Sequence, residues 1–141
     1  MKLNSAKLSS ILCLYLLTCH FAQAAPPDAM NATALKELLS GNTIIGQHLN
    51  KGFRFDMYLK SDGTFIEKRE DQLIPGTWHI DAKGRFCWRR NQKNKTWCHW
   101  IIDNGDRTYT NVKKKHGKFK KVRQFKVFDG NVRGLYLPTN R

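Results

Sequence analysis

Gly84-Arg85-Phe86-Cys87-Trp88-Arg89-Arg90-Asn91-Gln92-Lys93-Asn94-Lys95-Thr96-Trp97-Cys98-His99-Trp100-Ile101-Ile102 is the stretch on which the fold turns. Two runs of large apolar and aromatic residues flank a polar connector, Asn91 to Asn94. A hairpin closed across that connector sets Arg90 against Lys95 and brings Cys87 directly opposite Cys98. Opposed residues on antiparallel strands have β-carbons close enough to be bridged. The sequence therefore predicts a Cys87–Cys98 disulfide. A bridge over so short a loop contributes about 2–3 kcal/mol and belongs to an oxidising compartment.

The neighbouring hairpins extend the same register. Ser61-Asp62-Gly63 and Ala82-Lys83-Gly84 are three-residue loops ending in Gly, which suits a type I turn closed by a left-handed residue. The second loop pairs Ile80 with Phe86 and Trp78 with Trp88. The cysteine hairpin then pairs Trp88 with Trp97 and Phe86 with His99. Trp78, Ile80, Phe86, Trp88, Trp97 and Ile101 fall on one face, and a slip of one residue would expose them all.

Most of the remaining chain alternates with period two. Phe53, Phe55, Met57 and Leu59 share a face, and further strands follow at Thr64–Arg69, Gly76–Ile80, Arg107–Val112 and Phe119–Phe128. Only Asn31–Gly41 has a helical period, with Asn31 as its cap, Gly41 as its stop and Leu35, Leu38 and Leu39 on one side. The fold class is all-β: a small antiparallel up-and-down barrel of seven or eight strands with one short N-terminal helix. Closure hides both sheet edges. An open sheet with the helix laid across it satisfies the same pattern.

The first residues bear on compartment. Met1-Lys2 and Lys7 are basic, Ile11–Leu17 is a short apolar run, and Ala22-Gln23-Ala24 is a small-x-small cleavage site. This is the layout of a secretory signal peptide, and the run is too short to span a bilayer. We read residues 1–24 as a cleaved leader, 25–30 as a linker and 31–141 as a single barrel domain. A rival reading takes Leu16-Leu17-Thr18-Cys19 as a lipidation box. Cleavage removes Cys13 and Cys19, leaves Cys87 and Cys98 as an even pair, and lowers the net charge of +14 by two lysines.

Taken in order, Leu38–Gly46, Tyr58–Phe65, Gly76-Thr77-Trp78-His79-Ile80, Gly84-Arg85-Phe86-Cys87-Trp88 and Cys98 resemble a family of small exported bacterial proteins of unknown function. The resemblance spans about Leu38 to Tyr109. It implies a lipocalin-like or calycin-like barrel in the periplasm or outside the cell, and it brings no catalytic or ligand residues with it. True lipocalins carry Gly-x-Trp near their first barrel strand, whereas here Gly76-Thr77-Trp78 falls mid-chain.

The motifs for chemistry are sparse. Gly-x-Ser-x-Gly, His-Glu-x-x-His and a Gly-rich phosphate loop are all missing from the sequence, so the chain reads as non-enzymatic, with no cofactor. Glu67, Glu70 and Asp71 read as a solvated mixed-charge loop. A metal at His79, Cys87, Cys98 and His99 would need free thiolates aimed at one point, and consecutive strand residues face opposite ways; no metal is expected. Four tryptophans lie between residues 78 and 100. They fill the barrel, or Trp78, Trp88 and Trp97 with His99 line a cavity for a small apolar ligand, lidded by the helix.

The strongest surface signal is Lys113-Lys114-Lys115-His116-Gly117-Lys118-Phe119-Lys120-Lys121-Val122-Arg123, seven permanent cations in eleven positions. Such a density attracts polyanions by steering and counterion release. The leading expectation is a basic rim of Lys113, Lys114, Lys115, Lys118, Lys120, Lys121 and Arg123 that engages lipopolysaccharide, anionic lipid, acidic polysaccharide or extracellular nucleic acid. The alternatives are a carrier of a small apolar molecule and a secreted inhibitor or accessory protein of another envelope protein.

Overall fold

The computed structural model describes residues 24–138. The leader expected up to Ala24, with Cys13 and Cys19, lies outside the described residues apart from Ala24 itself.

Turn chemistry and period-two patterning produce eight strands: β1 Asn42–His48, β2 Arg54–Leu59, β3 Thr64–Arg69, β4 Gln72–Ile80, β5 Phe86–Arg90, β6 Trp97–Asp103, β7 Thr108–Lys115 and β8 Lys118–Phe128. Each pairs antiparallel with the next. β8 returns to β1, with Thr43 opposite Phe128 and His48 opposite Arg123. The meander is thus a closed barrel, not an open sheet. The expected registers hold: Trp78 faces Trp88, Ile80 faces Phe86, Cys87 faces Cys98, and Gly63 and Gly84 sit at positive φ in their loops.

The Cys87–Cys98 disulfide forms. It lies in the shortest ladder of the barrel, three residue pairs between β5 and β6, and so pins the seam with the fewest paired residues. One detail differs from the sequence reading. Arg90 does not pair with Lys95; the β5–β6 ladder stops at Trp88 opposite Trp97, and the connector runs over residues 91–96. The Arg90 side chain is committed to a buried carboxylate instead: Glu67 accepts from Arg90 Nε at 2.8 Å and from Arg90 Nη2 at 3.1 Å.

The single helix α1, Ala32–Leu39, starts where the Asn31 side chain accepts from the Ala34 N–H at 2.9 Å. It closes one end of the barrel. Leu35 and Leu39 are fully buried and join Leu59, Phe65, Trp78 and Phe86 in one apolar cluster. Close approach of backbones is needed as well. A β-carbon at Gly46 would collide with Gln124 O and Phe125, and one at Gly76 with the Phe65 ring; only glycine fits these strand positions. The stretch read as a linker over 25–30 is tied to the barrel. Ala29 bridges Ile102, Met30 donates to Ile101 O at 2.8 Å, and Pro26 is buried.

Candidate functional site

Strand direction fixes two unlike ends. The β2–β3, β4–β5 and β6–β7 turns lie at the helix end. The β1–β2, β3–β4, β5–β6 and β7–β8 connections lie at the other, where the lumen opens into a cavity of about 350 Å³. Phe53, Trp88 and Trp97 supply its aromatic wall, and Arg69, Arg90 and Arg123 line it with His99. Lys51, Lys95 and Lys113 also border it.

Arg123 is the residue the sequence reading placed least well. Alternation from Phe125 and Val127 turns it into the lumen, and only 4% of it is exposed. It therefore leaves the lysine rim for the floor of the cavity. A bulge helps to aim it: Asn111 pairs with Arg123 but Val112 pairs with Lys121, so Val122 is the extra residue and is also buried. The guanidinium packs 4.6 Å from the Phe55 ring centroid and 4.7 Å from that of Trp88. Burial pulls its pKa down to about 10, with Glu67 opposing the shift, so it stays charged at neutral pH. Its Nε and Nη1 are buried with no partner among the described residues.

The unpartnered groups are not scattered. Trp88 on β5, His99 on β6, Asn111 on β7 and Arg123 on β8 occupy consecutive strands of the wall. Trp88 Nε1, His99 Nδ1 and Asn111 Oδ1 also lack partners among the described residues. His99 meets the Trp88 ring edge-on at 5.0 Å. Burial, followed by the charges of Arg123 and Lys113, holds His99 down to about 3, so it is neutral at pH 7. A neutral imidazole offers one donor and one acceptor.

Glu67 is the second residue the sequence reading misplaced. It is fully buried, not a solvated loop residue, and Arg69 donates to it at 2.8 Å alongside Arg90. Burial alone would raise its pKa, but the Arg90 hydrogen bond and the charges of Arg90, Arg69 and Arg123 outweigh it and hold the carboxyl down. Glu67 thus occupies Arg69 and Arg90, and Arg123 is left without a hydrogen-bonded anion.

The six lysines of the expected rim, Lys113, Lys114, Lys115, Lys118, Lys120 and Lys121, are all exposed on the β7–β8 hairpin at this same end. His116 and Gly117, both at positive φ, make the tight turn. Lys113 lies directly opposite Lys120, and Lys115 opposite Lys118. Phe119 anchors the hairpin edge-on against Trp100 at 5.7 Å on the outer surface. The expected cavity set divides. Trp88, Trp97 and His99 border the mouth, whereas Trp78 leans the other way and donates to Lys60 O at 2.9 Å. Both sulfurs of the cysteine pair are in the disulfide, so neither offers a thiolate to a metal.

Other surface grooves lack this construction. The one between Ile45, Gln47 and Phe128, about 390 Å³, has no buried, unpartnered polar side chain in its wall. No helix among the described residues is long and apolar enough to cross a membrane. No protein-family model matches the chain, and no curated protein or solved structure shows significant similarity to it.

Proposed function

We propose that this chain is an exported, non-enzymatic binding barrel whose basic mouth engages an anionic polymer of the cell envelope or its surroundings. The observation that carries this reading is the β7–β8 hairpin, six exposed lysines set at the open end of a closed barrel. Like charges placed directly opposite on paired strands repel one another. The Lys113/Lys120 and Lys115/Lys118 pairs hold that repulsion in place, and a polyanion laid along the hairpin relieves it while releasing its own counterions. Export accords with the leader-like start of the sequence and with the disulfide, which is stable in oxidising surroundings.

Heparin serves as the probe polymer. The full processed protein is loaded on immobilised heparin and eluted with salt, beside two triple variants of equal charge. Lys114→Ser, Lys118→Ser and Lys120→Ser disarm the hairpin; Lys36→Ser, Lys60→Ser and Lys83→Ser remove the same charge from the helix end. The hairpin variant elutes at clearly lower salt, and its log–log salt slope falls by about two to three, roughly one for each lysine withdrawn from the polymer. Equal elution of the two variants overturns the proposal and reduces the lysines to a solvated surface.

A further inference from the structure

The mouth cavity has a chemistry distinct from the lysine hairpin beside it. We propose that its floor is a built site for a single carboxylate carried on a compact aromatic or otherwise flat organic body. The inference rests on the reading of the mouth as an anion-receiving end and names a second ligand class within it.

The balance of buried charge favours one anion. Glu67 is held by Arg69 and Arg90. Arg123 is the remaining buried cation, and its Nε and Nη1 have no partner among the described residues. Three guanidiniums surround one carboxylate, so the site carries surplus positive charge, and Arg123 is the guanidinium without a hydrogen-bonded anion; a carboxylate set against it supplies the missing partner. The neighbouring groups suit a carboxylate, which accepts hydrogen bonds at both oxygens. Trp88 Nε1 donates only, and neutral His99 can donate from Nδ1; both atoms are buried and unpartnered among the described residues, and both residues border the cavity.

The wall defines the body of the ligand. Trp97, half-buried at the lip, stacks on Trp88 at 6.1 Å between ring centroids. Phe53 faces the same space, with the Arg69 guanidinium 3.8 Å from its centroid. About 350 Å³ accommodates a molecule of one or two rings. The donors sit deep and the aromatic faces at the lip, so the acid group enters first.

Benzoate is the probe, with benzamide as its uncharged counterpart and inorganic phosphate as the competing anion. Titrations of the native protein are followed by calorimetry and by the indole N–H resonances. Benzoate binds at least tenfold more tightly than benzamide or phosphate and shifts the Trp88 indole N–H. The Trp78 indole, already donating to Lys60 O, does not move. Arg123→Met weakens benzoate at least tenfold. The hairpin variant with Lys114, Lys118 and Lys120 replaced keeps benzoate affinity within twofold, so loss of polymer binding and loss of the acid site are read separately. If Arg123→Met does not fold, the indole shifts in the unmodified protein decide. Equal affinity for benzoate and benzamide, tighter binding of phosphate, or an unmoved Trp88 indole overturns the proposal.

Discussion

The two ends of this barrel solve the same problem in opposite ways. At the helix end, main-chain and side-chain polar groups find partners. Gly41 N donates to Leu59 O, Asn42 Nδ2 to Leu38 O, Gly130 N to Asn42 Oδ1 and Trp78 Nε1 to Lys60 O, around a plug made of Leu35 and Leu39. At the mouth, Trp88, His99, Asn111 and Arg123 keep buried polar atoms unmatched among the described residues. Trp78 and Trp88 make the contrast within a single cross-strand pair. One indole is satisfied by the protein and the other is not. Unmatched buried donors cost about 1–3 kcal/mol each, so an end that tolerates several is organised for something other than stability.

The largest effect that sharpens this contrast belongs to the plug. Leu35→Ala and Leu39→Ala each remove a fully buried side chain and lower stability by about 2–5 kcal/mol in urea unfolding. Trp97→Ala at the half-buried lip costs much less. Comparable losses at both positions would mean that the mouth is as tightly built as the plug.

Acid separates the ends next. His99 has a folded pKa of about 3, below its ordinary 6.5, because burial, Arg123, Lys113, His48 and Arg85 all disfavour its charged form. Between those values the unfolded chain binds more protons than the folded one. Stability is therefore fully present above pH 6.5 and is lost as pH falls toward 3, by about 1.4 kcal/mol per pH unit for this one group. Glu67, with its folded pKa depressed, adds a further loss below its ordinary 4.5. His99→Phe keeps a ring against Trp88 and removes the titration. Between pH 6.5 and 4.5 its stability–pH slope is shallower by about one proton, leaving the share of His48, which burial and Arg123 also hold down. An unchanged slope would place His99 in water.

Much of this barrel is legible in the chain because large apolar side chains and turn glycines report their own positions. Trp78, Phe86, Trp88 and Trp97 fix the register through one shared face, and the paired cysteines confirm it. The mouth is harder to read, because its decisive residues are charged and charge by itself suggests solvent. Arg123 follows three positions after Lys120 in a basic run, yet it shares its face with Phe125 and Val127. Glu67 likewise shares a face with Phe65 and pairs with Met57. Strict period two, applied without regard to charge, places both inside. The bulge at Val122 has no such signal, since it depends on how β7 and β8 meet after the barrel closes.

The smallest change breaks the comparison most directly. Arg123→Met keeps a long, flexible side chain beside Phe55 and Trp88 and deletes the buried cation. At the helix end such a loss of a polar group takes a hydrogen bond away from its partner; Trp78→Phe, for instance, leaves Lys60 O with the Gly63 N–H alone. Arg123 Nε and Nη1 have no such partner to strand. Replacing an uncompensated buried charge by an apolar side chain of similar length is neutral or stabilising, here by about 1–2 kcal/mol in urea unfolding. Glu67 loses the favourable charge of Arg123 but keeps its hydrogen-bonded Arg69 and Arg90, so the gain survives. A variant that is more stable and no longer receives a carboxylate is the trade expected of a binding site held at the expense of the fold. A variant less stable than the parent by about 2 kcal/mol or more would show instead that Arg123 holds the wall together, and the two ends would then differ only in degree.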